Sequence, residues 1–455
     1  MTERILILGV AREGLSLARY FAGGAEVTVT DSATESVLGR RVTDLRSLGV
    51  RVVVGGNHPD LVSKADRFFV SPGVPENNPV YLAAQTQGLR LESMTTLFFD
   101  LCPSPIIGVT GSSGKTTTTS LIGHILRTAG VDVRVGGNIG DPMLDLLPHL
   151  RPTTLVVLEL SSFQLALLRR SPQTAVVTNL TPNHLDRHGT MDAYIAAKRH
   201  IVEHQVRVNL AVLNADDETV TSFSRATPAA ISLFSRRRPL GRGAYVRNGG
   251  IVAVGNSEQE VMPVDDVPLL GEHNLENVLA AVAATTPLGV DVAAQREAIT
   301  SFHPAPHRLQ VVGDRDGVTY IDDSIATSPA RAVVALRALS QPVLLIAGGR
   351  DKNLPWEEFA RVAVERVRAM YLIGEAAPLI RAAVERAMGG HHDTLDRAHI
   401  FGCDSLDEAV DRACVAARPG DVVLLSPGCT SYDMFRDFEE RGTAFTRAVE
   451  KVYAA

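Results

Sequence analysis

The run Pro105-Ile-Ile-Gly-Val-Thr-Gly-Ser-Ser-Gly-Lys115-Thr-Thr-Thr-Thr119 leads an apolar, β-branched segment into a Gly-rich turn, then into an amphipathic pattern lasting to about Gly130. Strand, loop and helix in that order are the setting of a phosphate-binding loop. Gly111 and Gly114 free backbone N–H groups to turn inward, and Ser112 and Ser113 add two more donors. The helix start contributes partial positive charge beneath a polyphosphate. Lys115 reaches the outer phosphates, the Thr116 hydroxyl suits Mg²⁺, and Thr117 continues the first turn. The general template asks for Gly at position 109, where this chain has Val, so the loop is a tighter variant or a plain βα turn.

Other reactive side chains follow at segment ends. Glu159 closes the apolar run Thr153–Leu158, a usual place for a Mg²⁺-binding acid beside a phosphate loop. His184 follows the next apolar run, Ala175–Leu180; it could take a metal or a phosphate, or be structural. Of 45 basic residues only five are Lys: Lys64, Lys115, Lys198, Lys352 and Lys451. A chain that writes Arg for a generic cation keeps Lys where a compact ammonium or free amine is needed. Lys115, Lys198 and Lys352 fall in motif-like stretches; Lys64 and Lys451 read as solvated surface. Lys198 sits amid Ala, Tyr and Ile on a helix predicted over Met191–Glu203, where an amine with a chemical task competes with simple snorkelling.

The elements that must hold these residues are α/β throughout. Strands over 4–9 and 25–31 flank a helix over 12–22, with Gly9-x-Ala11-x-x-Gly14 in the first turn and Asp31 closing the second strand. A dinucleotide fingerprint would have Gly at position 11, so an ordinary α/β turn competes with a ligand loop. A third strand, Asp66–Val70, runs into Ser71-Pro72-Gly73-Val-Pro75, and Gly136-Gly-Asn138-Ile-Gly140 follows another short strand. Residues 235–265 read as small strands in a surface ribbon, and Gly271-Glu-His-Asn274-Leu-Glu-Asn277 opens a strong helix. After about Pro304, strand-to-turn units recur at Thr319–Asp323, Val343–Lys352 and Asp421–Ser431. The expectation is three α/β domains: a Rossmann-like domain over 1–93, a P-loop ATPase-like domain over 94–303 and a second Rossmann-like domain over 304–455.

A net charge of −6 gives no nucleic-acid surface. Cys102, Cys403, Cys414 and Cys429 are scattered without a CxxC and read as reduced cysteines of a cytoplasmic protein. The first residues form a strand rather than a signal peptide, and no apolar run reaches membrane-spanning length.

Together, Gly-Ser-Ser-Gly-Lys-Thr-Thr, Glu-Leu-Ser-Ser-Phe-Gln, His-Leu-Asp-Arg-His-Gly, Ala-Ala-Lys198, His-Asn-Leu-Glu-Asn, His307-Arg308 and Asp-Ser-Ile-Ala-Thr327 resemble the Mur ligases of bacterial cell-wall synthesis. Ser71-Pro-Gly-Val-Pro, Gly-Gly-Arg-Asp-Lys352 and the stretch Ser426–Gly442 are similar to the branch that adds D-glutamate. The tighter phosphate loop also fits that family. The resemblance implies that ATP phosphorylates the alanyl carboxylate of UDP-N-acetylmuramoyl-L-alanine, and that the amine of D-glutamate then displaces phosphate. It implies ATP contacts from residues 111–117, Asn274, Asn277, Arg308 and Asp323, with Lys115, Glu159, His184, Lys198 and Arg308 serving the reaction. It implies two Mg²⁺ sites on Thr116, Glu159, His184 and Lys198, the last as a carbamate. Gly14, Leu15, Asp31, Ser71, Pro72, Gly73 and Asn138 would face the UDP-sugar. Thr327, Lys352, Ser431 and Phe438 would hold D-glutamate, in a monomer that engages small molecules and neither nucleic acid nor membrane.

Ile325 stands where some relatives have Lys, and Arg350 could compensate; Asn183 stands where an acid is common. The Asp-Asn-Pro-Arg motif of diaminopimelate-adding relatives is missing. Rival readings are another ligase of the family or a folate-directed one, a nicotinamide dehydrogenase, against which Ala11 argues, and a nucleotide-dependent binding module.

Overall fold

Alternation of buried apolar runs with amphipathic helices builds three sheets among the described residues, 2–269, 271–303, 306–388 and 399–454 of the computed structural model. The first sheet contains β1 (Arg4–Leu8), β2 (Glu26–Asp31), β3 (Arg51–Val54), β4 (Arg67–Val70) and β5 (Leu91–Glu92), all parallel, in the order β3-β2-β1-β4-β5. Ile5 to Leu8 are all buried, as expected of a strand covered on both faces. Strand order reverses at β1, so the loops after β1 and β4 part there and open a crevice at their C-terminal ends. β3 had no counterpart in the sequence reading, being short and only half-buried.

The helix Arg12–Phe21 lies so close to β1 that a Cβ on Gly14 would sit 1.9 Å from the Gly9 carbonyl oxygen. Gly14 therefore serves helix–strand approach rather than backbone freedom.

The central sheet contains β6 (Ile106–Thr110), β7 (Val133–Gly137), β8 (Leu155–Glu159), β9 (Thr174–Val177), β10 (Leu210–Asn214), β11 (Ala230–Ser235), β12 (Gly243–Arg247), β13 (Gly250–Val254) and β14 (Glu258–Pro263). Their order is β14-β13-β12-β11-β10-β9-β6-β8-β7, parallel as far as β12 and antiparallel beyond it. The expected surface ribbon over 235–265 is thus corrected: it extends the main sheet. Ala244, Tyr245 and Ile251 are fully buried, and the helix Val292–Ser301 packs against β14.

The third sheet contains β15 (Gln310–Arg315), β16 (Val318–Asp322), β17 (Val343–Gly348), β18 (Val367–Ile373), β19 (Ile400–Gly402) and β20 (Val422–Leu425), ordered β15-β16-β20-β17-β18-β19. Only β15 runs antiparallel to its neighbour.

The chain divides into two compact units, Met1–Pro268 with Leu275–Phe302, and Leu269–Asn274 with His303–Ala455. The first two sheets share one unit and one core, in which Leu17, Phe98 and Met143 join Leu158 and Ile201. The expected boundary near residue 93 falls at the Ser93 cap of the helix Met94–Leu101, which contributes Phe98 to that core. The expected domain start at Pro304 lies outside the described residues. Among those described, no helix is long and apolar enough to cross a membrane.

Gly14→Ala should lower the unfolding free energy by about 2 kcal/mol through overpacking against β1. Gly24→Ala, whose new Cβ would find its nearest neighbour at 3.8 Å, should stay within about 0.5 kcal/mol in the same denaturant titration.

Candidate active site

β6 lies between β8 and β9, so the loops leaving these three strands emerge side by side. All five residues of β6 are buried, which makes its exit a rigid platform. The loop over 111–114 is braced by the chain leaving β9. Ser112 N–H donates to the Asn179 carbonyl at 2.8 Å, Ser113 N–H to Asn179 Oδ1 at 2.9 Å, and Ser112 Oγ to the Thr181 carbonyl at 2.8 Å. Gly111 has φ +153°, and a Cβ there would lie 1.9 Å from Thr178 Oγ1. Gly114, at φ +78°, would place one 2.2 Å from Asn277 Oδ1. Both glycines are therefore required by their neighbours, and Asn277 stands at the mouth of the loop. Thr117 is buried beneath it, and Asn274, one turn before Asn277 on the helix Glu272–Thr285, is buried as well.

Lys115 Nζ donates to the carbonyls of Gly111 and Ser112, at 3.0 and 3.1 Å. Lys198 reaches the same place from the helix Met191–Glu203, donating to the Gly111 carbonyl at 2.9 Å and to Thr110 Oγ1 at 3.1 Å. Its side chain is almost fully buried and lies over the Tyr194 ring. Burial first, and the neighbouring Lys115 charge second, push the Lys198 amine well below its ordinary value, with Glu159 opposing them. Glu159, at the end of β8, accepts from Thr116 Oγ1 at 2.7 Å and from Asn138 Nδ2 at 2.9 Å. Asn138, expected at the UDP-sugar, thus also holds the candidate metal-binding acid.

His184 does not sit at a strand end as the sequence suggested. β9 stops at Val177, and His184 caps the short helix Leu185–His188 with φ 54°. An aromatic chain ties it to Lys198. The His184 ring meets Phe163 edge-on at 5.3 Å, Phe163 stacks on His188 at 4.8 Å, and His188 meets Tyr194 at 5.4 Å. Tyr194 OH pairs with Ser112 Oγ at 2.9 Å. Tyr194 and His188 had no role in the sequence reading, although both stand in quoted stretches.

In the first sheet, Asp31 accepts from Val10 N–H at 2.8 Å and Ala33 N–H at 2.9 Å, so its carboxylate shapes the first turn. Ser71 is buried with its Oγ donating to the Gly9 carbonyl at 3.3 Å, and Leu15 is half-buried against the core. Arg187, unassigned from sequence, donates to the carbonyls of Pro72, Gly73 and Val74 and lies over the Phe163 ring. The Ser71–Pro75 loop, Phe163, Arg187 and His188 line a cleft of ≈ 320 Å³.

The second compact unit gathers the other set. Asp323 is buried, accepting from Ser426 Oγ at 2.8 Å and Leu309 N–H at 3.3 Å; burial raises its carboxyl to about 7, against those bonds and the nearby Arg308 charge. Lys352 Nζ donates to Thr327 Oγ1 at 3.2 Å. Ser431 is buried, and the Phe438 carbonyl accepts from Ser324 Oγ at 2.8 Å. Arg441, missed from sequence, is fully buried and ties the Ser324 and Cys429 carbonyls together. Arg350, named as a stand-in for the Lys absent at Ile325, forms a two-pronged surface pair with Glu375 at 3.0 and 2.9 Å. Arg331 donates to the Ile325 carbonyl at 3.1 Å; burial first, and then the Arg331 and Arg441 charges, lower the Lys352 amine.

Residues 109–285 match the Mur ligase middle domain, residues 307–429 the Mur ligase glutamate ligase domain, and residues 3–92 the N-terminal domain of MurD-like Mur ligases. The UDP-N-acetylmuramoylalanine–D-glutamate ligase of Symbiobacterium thermophilum is 45% identical, over 99% of this chain and 98% of its own. The chain belongs to the Mur ligase family. The enzyme of the same name from Pelotomaculum thermopropionicum is 40% identical over 98% of this Mur ligase and 97% of itself. Among solved structures, MurC of Thermotoga maritima superposes with a TM-score of 0.59 at 19% identity, covering 99% of this chain and all of its own. MurF of Acinetobacter baumannii gives 0.60 at 18%, covering 98% and 93%. These two likenesses are of fold, a three-domain Mur ligase architecture.

One buried acid in this Mur ligase lies outside the reactive set. Glu13 Oε1 accepts from Gln164 Nε2 at 2.7 Å, while its Oε2 is sealed from solvent without a hydrogen-bond partner among the described residues. Burial raises the carboxyl from 4.5 to about 7. A raised folded value means the stabilising protonated form is fully present below pH 4.5 and lost as pH rises through about 7. Glu13→Gln should therefore match the parent near pH 5 and exceed it by about 2–3 kcal/mol at pH 8, in paired urea titrations. A difference that does not change with pH would contradict the buried-acid assignment.

Proposed function

We propose that this chain is an ATP-dependent ligase joining D-glutamate to UDP-N-acetylmuramoyl-L-alanine, a cytoplasmic step in peptidoglycan precursor synthesis carried out by a monomer. The observation that carries the reading is the pair of amines, Lys115 and Lys198, donating to one carbonyl at the base of a phosphate loop, with Glu159 and Thr116 in contact beside it. The names of the full-length relatives supply the substrates.

The chemistry asks two anions to meet. An alanyl carboxylate oxygen attacks the γ-phosphorus of ATP, the bond to the β–γ bridging oxygen breaks, and ADP leaves. The amine of D-glutamate then attacks the acyl carbon, gives up its proton, and phosphate departs as the amide forms. Lys115 and the loop N–H groups hold the phosphates and offset the growing charge. The cradle fits: a Cβ at Gly111 or Gly114 would fill it. The oxygen donors Thr116 and Glu159 suit Mg²⁺, which when bound screens the two anions, and His184 and Lys198 would serve a second ion. Burial favours the neutral amine, the form that adds CO₂ and releases a proton to become a carbamate, which would give Lys198 an anionic end toward that ion. Asn277 would meet the nucleotide at the loop mouth, and Asn274, Arg308 and Asp323 would bind it too. Gly14, Leu15, Asp31, Ser71, Pro72, Gly73 and Asn138 would line the UDP-sugar path. Thr327, Lys352, Ser431 and Phe438 would take D-glutamate, with Arg331 adding the cation that Ile325 does not.

ADP release should require the muramoyl nucleotide and D-glutamate, with L-glutamate inactive; equal turnover of L-glutamate would overturn the assignment. Lys198→Arg should lower kcat by at least about 10³-fold, since a guanidinium stays protonated, while ATP affinity stays within about threefold. Lys352→Ala should raise the KM for glutamate by about tenfold or more, with the KM for ATP unchanged.

A further inference from the structure

Two residues beyond Lys198, the same helix carries a constellation that none of this chemistry uses. His200-Ile-Val-Glu203-His204 places two imidazoles and a carboxylate at i, i+3 and i+4, on one helical face. One ligand atom from each lies within 4.8 Å of the others. The two rings are 6.1 Å apart between centroids. Such spacing on a helix brings two histidines to one metal in other folds.

The local hydrogen bonds prepare the site. His200 Nδ1 lies 3.2 Å from the Leu168 carbonyl. A carbonyl only accepts, so Nδ1 carries the proton and Nε2 keeps its lone pair. Backbone carbonyls orient metal-binding imidazoles in this way. Ser171 Oγ donates to the His200 carbonyl at 2.9 Å and accepts from His204 N–H at 2.9 Å, which pins the backbone of both histidines. Glu203 Oε1 accepts from Arg199 Nε at 2.6 Å, and its Oε2 lies 3.8 Å from His200 Nδ1, on the edge of the ring that faces the Leu168 carbonyl. His200 and Glu203 are about one-third and one-quarter exposed, with side-chain values of 32% and 26%, and His204 is exposed, so a cation can enter from solvent.

We propose that His200, Glu203 and His204 bind a divalent d-block cation, with zinc the best match. Two imidazole nitrogens and one carboxylate oxygen suit Zn²⁺ and leave a fourth position for water. Mg²⁺, which prefers oxygen, does not compete for this donor set. An ion bridging i and i+4 also clamps the last turn of the helix that carries Lys198.

Calorimetric titration of the full chain with Zn²⁺, in excess Mg²⁺ and ADP, should give one site per chain that His200→Ala and His204→Ala each weaken by at least about tenfold. Co²⁺ should give the visible bands of a tetrahedral site, lost in the double variant. His204 is exposed and bonds Ser171 through its backbone N–H, so His204→Ala should keep the metal-free melting temperature. His204→Cys, which restores a zinc ligand, should recover binding. No zinc uptake, or uptake unchanged in the double variant because the cysteines or the phosphate loop hold the ion, would overturn the proposal.

Discussion

Two amines drawing on one carbonyl oxygen is the constraint around which the first compact unit is arranged. Gly111 accepts from both Lys115, which is half-buried, and Lys198, which is buried. Like charges at this spacing in a low-dielectric site are costly, and the structure relieves the cost by disfavouring the proton on Lys198. The geometry follows from sheet order. With β6 between β8 and β9, the phosphate loop, Glu159 and the Asn179 brace leave adjacent strands at one edge, and the helix Met191–Glu203 crosses behind them.

The same edge is held by contacts from the first sheet. Glu13 reaches Gln164, Ser16 donates to Asp145 at 2.9 Å, Arg12 reaches the Gly140 carbonyl, and Arg187 gathers three carbonyls of the Ser71–Pro75 loop. Gln164 is also the capping-box partner of Ser161, at the start of the helix that follows Glu159. One side chain therefore orders the exit of β8 and joins the first sheet to it. A neutral Glu13 suits that junction, where burial outweighs the neighbouring Arg12 charge and the Gln164 bond.

Much of this was legible in residue types. The strand–loop–helix at 105–119, the acid ending β8 and the helix Met191–Glu203 were readable because apolar period and Gly placement are local signals. The scarcity of Lys singled out Lys198 as an amine with a chemical task, and its side chain is buried beside the phosphate loop. What could not be read was long-range. Asp31 and Asn138 were noted as ligand contacts, yet their partners here, Val10 and Glu159, lie 21 residues away in each case. The ribbon over 235–265 was misread because its pairing to β11 and the helix Val292–Ser301 packed on β14 are long-range contacts that no local pattern announces. Arg350 was named only beside Ile325, and its ion-pair partner Glu375 lies 25 residues on.

The second compact unit shows the logic that separates Arg from Lys here. Arg441 is buried with its guanidinium spread across Ser324 and the Cys429 carbonyl, where a planar fork can join two loops at once. Lys352, by contrast, offers a compact charge at a loop tip and donates to the Thr327 hydroxyl. Burial lowers Arg441 to about 10, which still leaves it cationic at neutral pH, so it supplies a fixed charge that Lys352 feels. Cations here are thus split between framework and reach: the framework arginine sets the loop and the local potential, and the lysine extends from it. The absence of Lys at Ile325 is consistent with that division, because Arg331 delivers its charge from the neighbouring helix while its bond to the Ile325 carbonyl fixes the turn.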